Sequence, residues 1–302
     1  MAVLAVGMMT AFSVSSFATS AFWTGAADDG NWSNINNWET ANGNAIVPAS
    51  APGAGELATF DESKGATVAY PTTNIPVSVG SPVNVTATSN GAAATVSLPA
   101  MTIGTLIVNN GGSANNVLLQ FSGPLGVKTA VTVQTTVTSG TAKLDLNGNT
   151  LSGVNGDVAD VTVDVDAVNA GAAEILDTAA LSVEAINITV DVAGDDTAKL
   201  TSGGTITATG AILIQSGAAG GDATLTASGN INGTSLTLDS QAAAGVPTLN
   251  IQTFDLTLSG ALTFDEGAAA NGDPAFSSTN STISVGSVVA DTTAISLSNR
   301  RL

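Results

Sequence analysis

The chain of 302 residues contains no cysteine and no histidine. Without cysteine, neither disulfide bonds nor thiolate metal sites can hold the fold together. Without histidine, the chain lacks the side chain that most often serves as a general base and as a metal ligand. A serine nucleophile activated by a histidine partner is excluded for the same reason. We therefore expect no catalytic activity, and we assign no catalytic or cofactor-binding residue.

Basic and aromatic residues are also scarce. Six Lys and Arg stand against 24 Asp and Glu, which gives a net charge of −18. Nucleic acids and anionic membrane surfaces are bound through clustered Lys and Arg, so we expect neither as a partner. Only 4% of the residues are aromatic and 10% are charged. Because the wet face of a long amphipathic helix is usually charged, such helices are not expected here.

Small and branched aliphatic residues, together with Thr, Ser and Asn, make up much of the chain. Hydrophobic residues account for 44% of it, and there are 33 glycines. Branched aliphatic side chains favour pleated strands, and the frequent Asn-Gly, Gly-Gly and Ser-Gly pairs favour turns at short intervals. The composition therefore predicts an all-β protein with enough apolar material for a buried core.

The N-terminus begins with an apolar run over residues 2–14, which is followed by mostly small residues up to Ala21. This order is typical of a secretory signal peptide, here residues 1–21, cut after Ala18 or Ala21; a buried first strand is the alternative. The run is too short to favour a membrane span, and no other stretch reaches spanning length. We therefore predict a secreted protein, extracellular or on a bacterial cell surface, whose mature chain does not span a membrane.

All three tryptophans follow this segment closely. The sequence reads Phe22-Trp23-Thr24-Gly25, Asn31-Trp32-Ser33 and Asn37-Trp38, then a Pro/Gly-rich stretch and Leu57-Ala58-Thr59-Phe60-Asp61. Over residues 22–61 it resembles the start of secreted proteins with autotransporter-associated β-strand repeats. The resemblance implies a right-handed parallel β-helix downstream. Because large rings bury much area at one place, we interpret residues 22–74 as a Trp-rich cap over the first coil.

From residue 75 onward the chain repeats. The first core residues of successive units are separated by 31, 25, 25 and 24 residues, and they are Leu144, Ile175, Leu200, Leu225 and Leu249. A period of this length indicates a solenoid, whereas a propeller blade needs about 40 residues. We predict that residues 75–302 form a right-handed parallel β-helix of about 25 residues per coil, with Leu200, Leu225 and Leu249 in one inward column. A β-sandwich array, with strands every 8–12 residues or so, is the alternative.

Acidic residues provide the best candidate for a site. In residues 160–166, Asp and Thr alternate with Val, so the Val side chains should point into the core and the carboxylates outward. Asp160, Asp164 and Asp166 are therefore candidate ligands for Ca²⁺, which prefers oxygen donors. A solvated strand face that discourages edge pairing is one alternative, and a glycosidase-like carboxylate pair is another. Asp28-Asp29-Gly30 predicts a turn and is a weaker candidate for Ca²⁺.

Three functions remain open from the sequence. The first is a secreted structural or adhesive protein of the cell surface or extracellular matrix, with no catalytic activity, whose partners are itself or components of the cell envelope or matrix. The second is a self-assembling surface-layer or fibre protein. The third is a carbohydrate-binding or carbohydrate-active β-helix protein, which rests on analogy between folds. An exposed row of aromatic rings would favour the third.

Overall fold

The fold is taken from a computed structural model. It describes residues 20–41, 43–61, 70–75, 82–89, 93–111, 116–136, 139–154, 157, 159–166, 171–191, 196–217, 221–241, 245–266, 273–291 and 296–298. Residues 1–19 of the predicted signal peptide therefore lie outside the described residues. Ser20 and Ala21 are the first residues whose structure can be stated, and both belong to the first strand.

The described residues consist mostly of strands, with one 3-10 helix, η1 (Ile35–Asn37), near the start. The strands in chain order are β1 (Ser20–Trp23), β2 (Trp38–Glu39), β3 (Leu57–Phe60), β4 (Asn84–Ser89), β5 (Ala94–Leu98), β6 (Met101–Asn110), β7 (Asn116–Phe121), β8 (Leu125–Thr135), β9 (Gly140–Gly153), β10 (Asp160–Val165), β11 (Gly171–Val183), β12 (Ile186–Val190), β13 (Thr197–Ser202), β14 (Ile206–Ala208), β15 (Ala211–Ser216), β16 (Asp222–Ala227), β17 (Ile231–Gly233), β18 (Ser235–Ser240), β19 (Thr248–Gln252), β20 (Leu256–Leu258), β21 (Ala261–Asp265), β22 (Ala275–Ser278), β23 (Ile283–Ser284), β24 (Ser287–Asp291) and β25 (Ser296–Ser298).

Hydrogen bonding arranges these strands in three parallel stacks, which we call faces A, B and C. Face A contains β1, β3, β4, β6, β8, β10, β12, β15, β18, β21 and β24. Face B contains β5, β7, β9, β11, β13, β16, β19, β22 and β25. Face C contains β14, β17, β20, β23 and parts of β6, β8, β9 and β11, which bend around a corner.

The predicted parallel β-helix is confirmed. After β6 each coil contributes a segment to each face, and one coil bonds to the next in parallel register. The alternative of a β-sandwich array is wrong, because sandwich sheets are built from antiparallel strands. Among the pairings of the described strands, that of β1 with β2 is antiparallel and the others are parallel. The right-handed sense of the coil stays a prediction, supported by the strong preference of parallel crossovers for that hand.

The predicted inward column is also confirmed. Leu200 pairs with Leu225, and Leu225 pairs with Leu249. The same column on face B continues through Leu144, Ile175 and Phe276, and every one of these side chains is buried. Strand alternation explains the column, since every second side chain points inward and each coil sits directly on its neighbour. One coil cannot bury its own apolar face, so the stability lies in these stacked contacts.

A second inward column runs along face A through both the predicted cap segment and the repeats. It consists of Ala21, Ala58, Val85, Leu106, Val131, Val161, Ile186, Ile212, Leu236, Leu262 and Val288. The predicted boundary at residue 75 therefore does not interrupt the sheet, because β1 and β3 lie in the same stack as β4. Within residues 22–74, strand β3 and the part of β1 from Phe22 onward belong to the coil, and Trp32, Trp38 and Tyr70 pack with its core.

The corner between faces B and C is so tight that the coils touch through their backbones. A Cβ atom on Gly204 would lie 1.5 Å from the carbonyl oxygen of Ala179, and one on Gly229 would lie 2.3 Å from the carbonyl carbon of Gly204. Real Cβ atoms do not approach other atoms so closely. Glycine is therefore required at this corner because of the distance between coils, and the Gly-rich turns of the sequence mark these contacts.

Candidate functional site

The three tryptophans lie together at the N-terminal end of the coil, as predicted. Trp23, Trp32 and Trp38 are 3%, 1% and 1% exposed. The ring centroids of Trp23 and Trp32 each lie 4.9 Å from that of Trp38, in edge-on arrangements. Phe60 of β3 lies 6.0 Å from Trp38. We call these four rings the Trp cluster. Edge-on packing of aromatic rings is favourable beyond the area that it buries.

Hydrogen bonds from the indole N–H to a backbone carbonyl oxygen hold two rings of the cluster in place. Trp32 Nε1 donates to the carbonyl oxygen of Pro52 at 2.8 Å, and Trp38 Nε1 donates to that of Trp32 at 2.8 Å. A buried indole N–H without an acceptor would cost free energy, so these bonds allow the rings to be buried completely. The Pro/Gly-rich stretch around Pro52 is therefore part of the cap's packing as well as a connection to β3.

Asn37 and Asp29 hold the chain around the cluster. The side chain of Asn37 is fully buried; its Nδ2 donates to Asp29 Oδ1 at 2.6 Å and its Oδ1 accepts from Ala27 N at 2.8 Å. Asp29 Oδ1 also accepts from Asn31 N, and Oδ2 accepts from Asn34 Nδ2. Hydrogen bonds from Asn34, Asn31 and Asn37 hold the pKa of Asp29 below its usual value.

The turn predicted at Asp28-Asp29-Gly30 is confirmed, with Asp28 and Gly30 in the left-handed region at φ 52° and 58°. The weaker expectation that this turn binds Ca²⁺ stays a prediction. Both carboxylate oxygens of Asp29 already accept N–H groups of the protein itself. Through these hydrogen bonds the carboxylate of Asp29 stabilises the loop that carries Trp32.

A second carboxylate, this one buried, supports the loop that follows β2. Glu39 is 3% exposed; its Oε1 accepts from Gly43 N at 2.7 Å and its Oε2 from Ala45 N at 3.1 Å. A surface cleft beside this loop is lined in part by Trp38, Glu39 and Val47. The Glu39 carboxylate beside this cleft therefore holds the loop through its bonds to backbone N–H groups.

The predicted metal ligands lie on β10 and just after it. The burial pattern of β10 alternates, with Val161, Val163 and Val165 inward, so the outward placement of the acidic residues is confirmed. Asp160 and Asp164 stand four residues apart, which is about 13 Å along a strand. Calcium ligands lie within about 2.6 Å of the ion, so these two carboxylates cannot share one ion. Ca²⁺ binding by this strand stays a prediction.

Asp164 is half-buried between neighbouring coils. Its Oδ1 accepts a hydrogen bond from Thr189 Oγ1 at 2.6 Å, and Thr189 is its register partner on β12. Burial raises the pKa of Asp164; the Thr189 bond opposes this rise, and the charges of Asp191 and Asp166 add to it. In the described part of the chain, no three acidic side chains are grouped so that they could hold a metal ion.

Two of the described lysines pair with acids. Lys143 Nζ lies 2.7 Å from Glu174 Oε2 on the neighbouring coil of face B. Lys128 Nζ lies 3.9 Å from Asp157 Oδ2. Both pairs are partly exposed, where ion pairs contribute little to stability. Their effect is to place compensating charge within the outer surface of a strongly acidic chain.

No Trp, Tyr or Phe side chain within the described ranges is exposed. Phe121, Phe264 and Phe276 are buried in the coil, and Phe22, Tyr70 and Phe254 are half-buried. Sugar rings are commonly held by stacking on open aromatic faces, so the row of exposed rings that would favour carbohydrate binding does not occur in these residues. The described chain also has no helix long and apolar enough to cross a membrane.

Comparison with known protein families, with curated proteins and with solved structures finds no match for this chain. Its function must therefore be argued from the coil and its two ends. The order of the Trp motifs in the sequence predicted where the rings would lie, but not the hydrogen-bond partners that hold them. The repeated Asn-Trp pairs, Asn31-Trp32 and Asn37-Trp38, carried the available signal, because both Asn residues bond to Asp29, Asn31 through its backbone N–H and Asn37 through its side chain.

Proposed function

We propose that this chain is a secreted structural or adhesive protein of the cell surface or extracellular matrix, without catalytic activity. The observation that carries the proposal is the coil itself. It is a long, regular stack whose outer side chains are mostly small and polar. Two of the buried acids, Glu39 and Asp196, accept backbone N–H groups. A rod of this kind suits a spacer or scaffold, because stacked repeats extend in one dimension.

Secretion is supported by the apolar N-terminal run and by the resemblance of residues 22–61 to secreted proteins with autotransporter-associated β-strand repeats. The position of β1 bears on the cleavage site. Ala21 is 2% exposed and pairs with Ala58, so a cut after Ala21 would remove half of β1. A cut after Ala18 would leave the strand whole. We therefore propose cleavage after Ala18.

The test is expression of the full chain in a secreting bacterial host, followed by N-terminal sequencing of the exported protein. The expected sequence begins at Thr19. A matched control carries Val6→Asp, which interrupts the apolar run and should retain the protein in the cytoplasm. Cytoplasmic retention of the unaltered chain would contradict secretion in that host, and an exported chain beginning at Phe22 would contradict the proposed cleavage site.

Adhesion and scaffolding can be distinguished once the protein is exported. Immobilised protein that captures whole cells or matrix components from solution acts as an adhesin. Purified protein that only enlarges with its own concentration acts as a scaffold. Turnover of a panel of acidic and neutral polysaccharides, measured as released reducing ends, would contradict the non-catalytic proposal.

Calcium is proposed as a stabilising ion for the acidic surface. An ion that binds the native chain and not the unfolded one stabilises by mass action, and Ca²⁺ suits oxygen donors. We expect millimolar Ca²⁺ to raise the melting temperature more than NaCl of equal ionic strength. Asp166→Asn should reduce this difference, with Asp222→Asn as a control on another face. Equal melting temperatures in Ca²⁺, EDTA and matched NaCl would contradict calcium binding.

A further inference from the structure

Exposed large aliphatic side chains are confined, among the described residues, to the N-terminal cap segment and to β24. They are Ile35, Ile46, Val47, Val288 and Val289. The flanks of the coil between them show only smaller or polar residues as fully exposed side chains. Exposed apolar groups that are gathered in one place mark interaction sites more often than scattered ones do. The geometry of β24 makes its two valines the more informative pair.

β24 combines exposed apolar side chains with a backbone edge that no described strand pairs. Val288 pairs with Leu262 and therefore continues the inward column of face A, yet it is 60% exposed while Leu262 is 3% exposed. Val289 pairs with Thr263 on the outward side and is 48% exposed. β24 pairs with β21, and no other described strand bonds to it. An unpaired edge with apolar side chains is a ready template for another strand.

We propose that β24 is the docking edge for the same strand of a second copy of this chain, joined antiparallel about a two-fold axis at Val289. Pairing centred there sets Val289 opposite its own copy on the outward side. It sets Val288 opposite Ala290 of the second copy on the inward side, so that each inward position faces another inward position. Ser287 comes opposite Asp291, so no acidic position faces an acidic one.

Association of two copies end to end through this edge is more favourable than association of two copies side by side. The net charge of −18 makes two flanks repel each other, whereas an end-to-end contact brings together the exposed valines and keeps the flanks apart. A two-fold contact uses the same surface on both copies and closes on itself. The product is therefore a dimer twice the length of the coil, and association should tighten as salt screens the charge.

The first test is disulfide trapping. Because the chain has no cysteine of its own, any disulfide that forms must involve the introduced residue. Paired residues of antiparallel strands have Cα atoms about 4.5–5.5 Å apart, which is within the range that a disulfide spans. Oxidised Val289→Cys should give a covalent dimer. Thr237→Cys, in the same outward column two coils away, should stay monomeric. Failure of Val289→Cys to cross-link, or equal cross-linking of both variants, would overturn the proposal.

The second test is the mass of the protein in solution. Light scattering over a range of concentrations should show unaltered protein moving from 29.5 kDa to twice that mass. Val289→Lys should weaken dimerisation at least 10-fold, because it places two ammonium groups together at the axis, while Thr237→Lys should not. Far-ultraviolet circular dichroism confirms that both variants are folded. A monomer at every concentration, or an undiminished dimer in Val289→Lys, would refute the edge.

Discussion

The two ends of the inward column on face A differ sharply in exposure. At the N-terminal end, Ala21 is 2% exposed and Ala58 is fully buried, because the cap segment and the Trp cluster lie against them. At the other end, Val288 occupies the same column and is 60% exposed. The repeat alone therefore does not bury the end of its own core. A non-repeating sequence rich in large rings and side-chain hydrogen bonds is what covers the N-terminal end.

The two regions are also stabilised differently. In the coil, backbone bonds between neighbours and stacked aliphatic side chains recur at each turn, so the contribution of one residue resembles that of its register partners. In the cap, single residues such as Asn37 and Trp38 make contacts that no other residue repeats. We expect substitutions in the two regions to destabilise the protein in different ways. In the coil they should do so through steric clashes, and in the cap through lost packing or unbalanced charge.

The largest effect is expected where coils touch through their backbones. Gly204→Ala places a Cβ atom 1.5 Å from Ala179 O, so two coils must separate. We expect a loss of more than about 4 kcal/mol in the free energy of unfolding, or no folded protein at all. Gly53→Ala in the cap is the control, since its nearest neighbour is a side-chain oxygen at 3.7 Å. Similar urea midpoints for both variants would contradict the tight corner.

Removal of a ring from the cap should have the next largest effect. Trp32→Ala leaves a cavity among Trp38, Phe60 and the coil, and such truncations cost about 3–5 kcal/mol. It should also promote aggregation, because the first coil is then less well covered. Ile46→Ala, at a side chain that is 59% exposed, should change the urea midpoint little. A soluble Trp32→Ala protein of unaltered stability would show that the cluster does not cover the core.

The smallest effects are expected at two acids with opposite pKa shifts. The fold lowers the pKa of Asp29 below 3.8, so its contribution is present above that pH and is lost as the pH falls through the lowered value. The fold raises the pKa of Asp164 above 3.8, so its favourable contribution is present below that pH and is lost as the pH rises through the raised value. Asp29→Asn should therefore destabilise at pH 7, and Asp164→Asn should stabilise slightly.

Thermal melts at pH 7, 5 and 3 measure both differences. Each should shrink towards pH 3, which lies below the raised pKa of Asp164 and below the ordinary value of 3.8 that Asp29 has in the unfolded chain. The side chain of Asp164 is partly exposed, so solvent screening limits its effect to a few tenths of a kcal/mol. Shifts of the same sign in the two variants would contradict the assigned causes.

The coil could be predicted from the sequence because its signal is repeated. The spacing of Leu200, Leu225 and Leu249 indicated both the period and the inward column. The 31-residue interval between Leu144 and Ile175 reflects extra residues before β10, around the turn in which Val154 bridges Asp157, and shifts in register between β9 and β11. Such an insertion changes the length of a corner and leaves the stack intact.

Features that depend on a single three-dimensional contact could not be predicted. Ala21 of β1 lies 37 residues before its register partner Ala58, well off the period of the coil, so the place of β1 in face A was not visible in the sequence. The Thr189 partner of Asp164 comes from the next coil, 25 residues away, and only the exact register reveals it. The alternation of β10 correctly predicted outward carboxylates, and the rise of a strand predicts their spacing, but neither reveals which side chain of the next coil each carboxylate meets.

Hydrogen–deuterium exchange of the unaltered protein and Trp32→Ala, in dilute solution, tests most directly whether the cap covers the N-terminal end. Amides of β3 and β4 should exchange slowly in the unaltered protein and much faster in Trp32→Ala. Amides of β18, an inner strand of face A that is paired on both sides, should be protected in both, and those of β24 should exchange quickly in both. Fast exchange of β3 and β4 in the unaltered protein, or equal protection in the variant, would contradict the account.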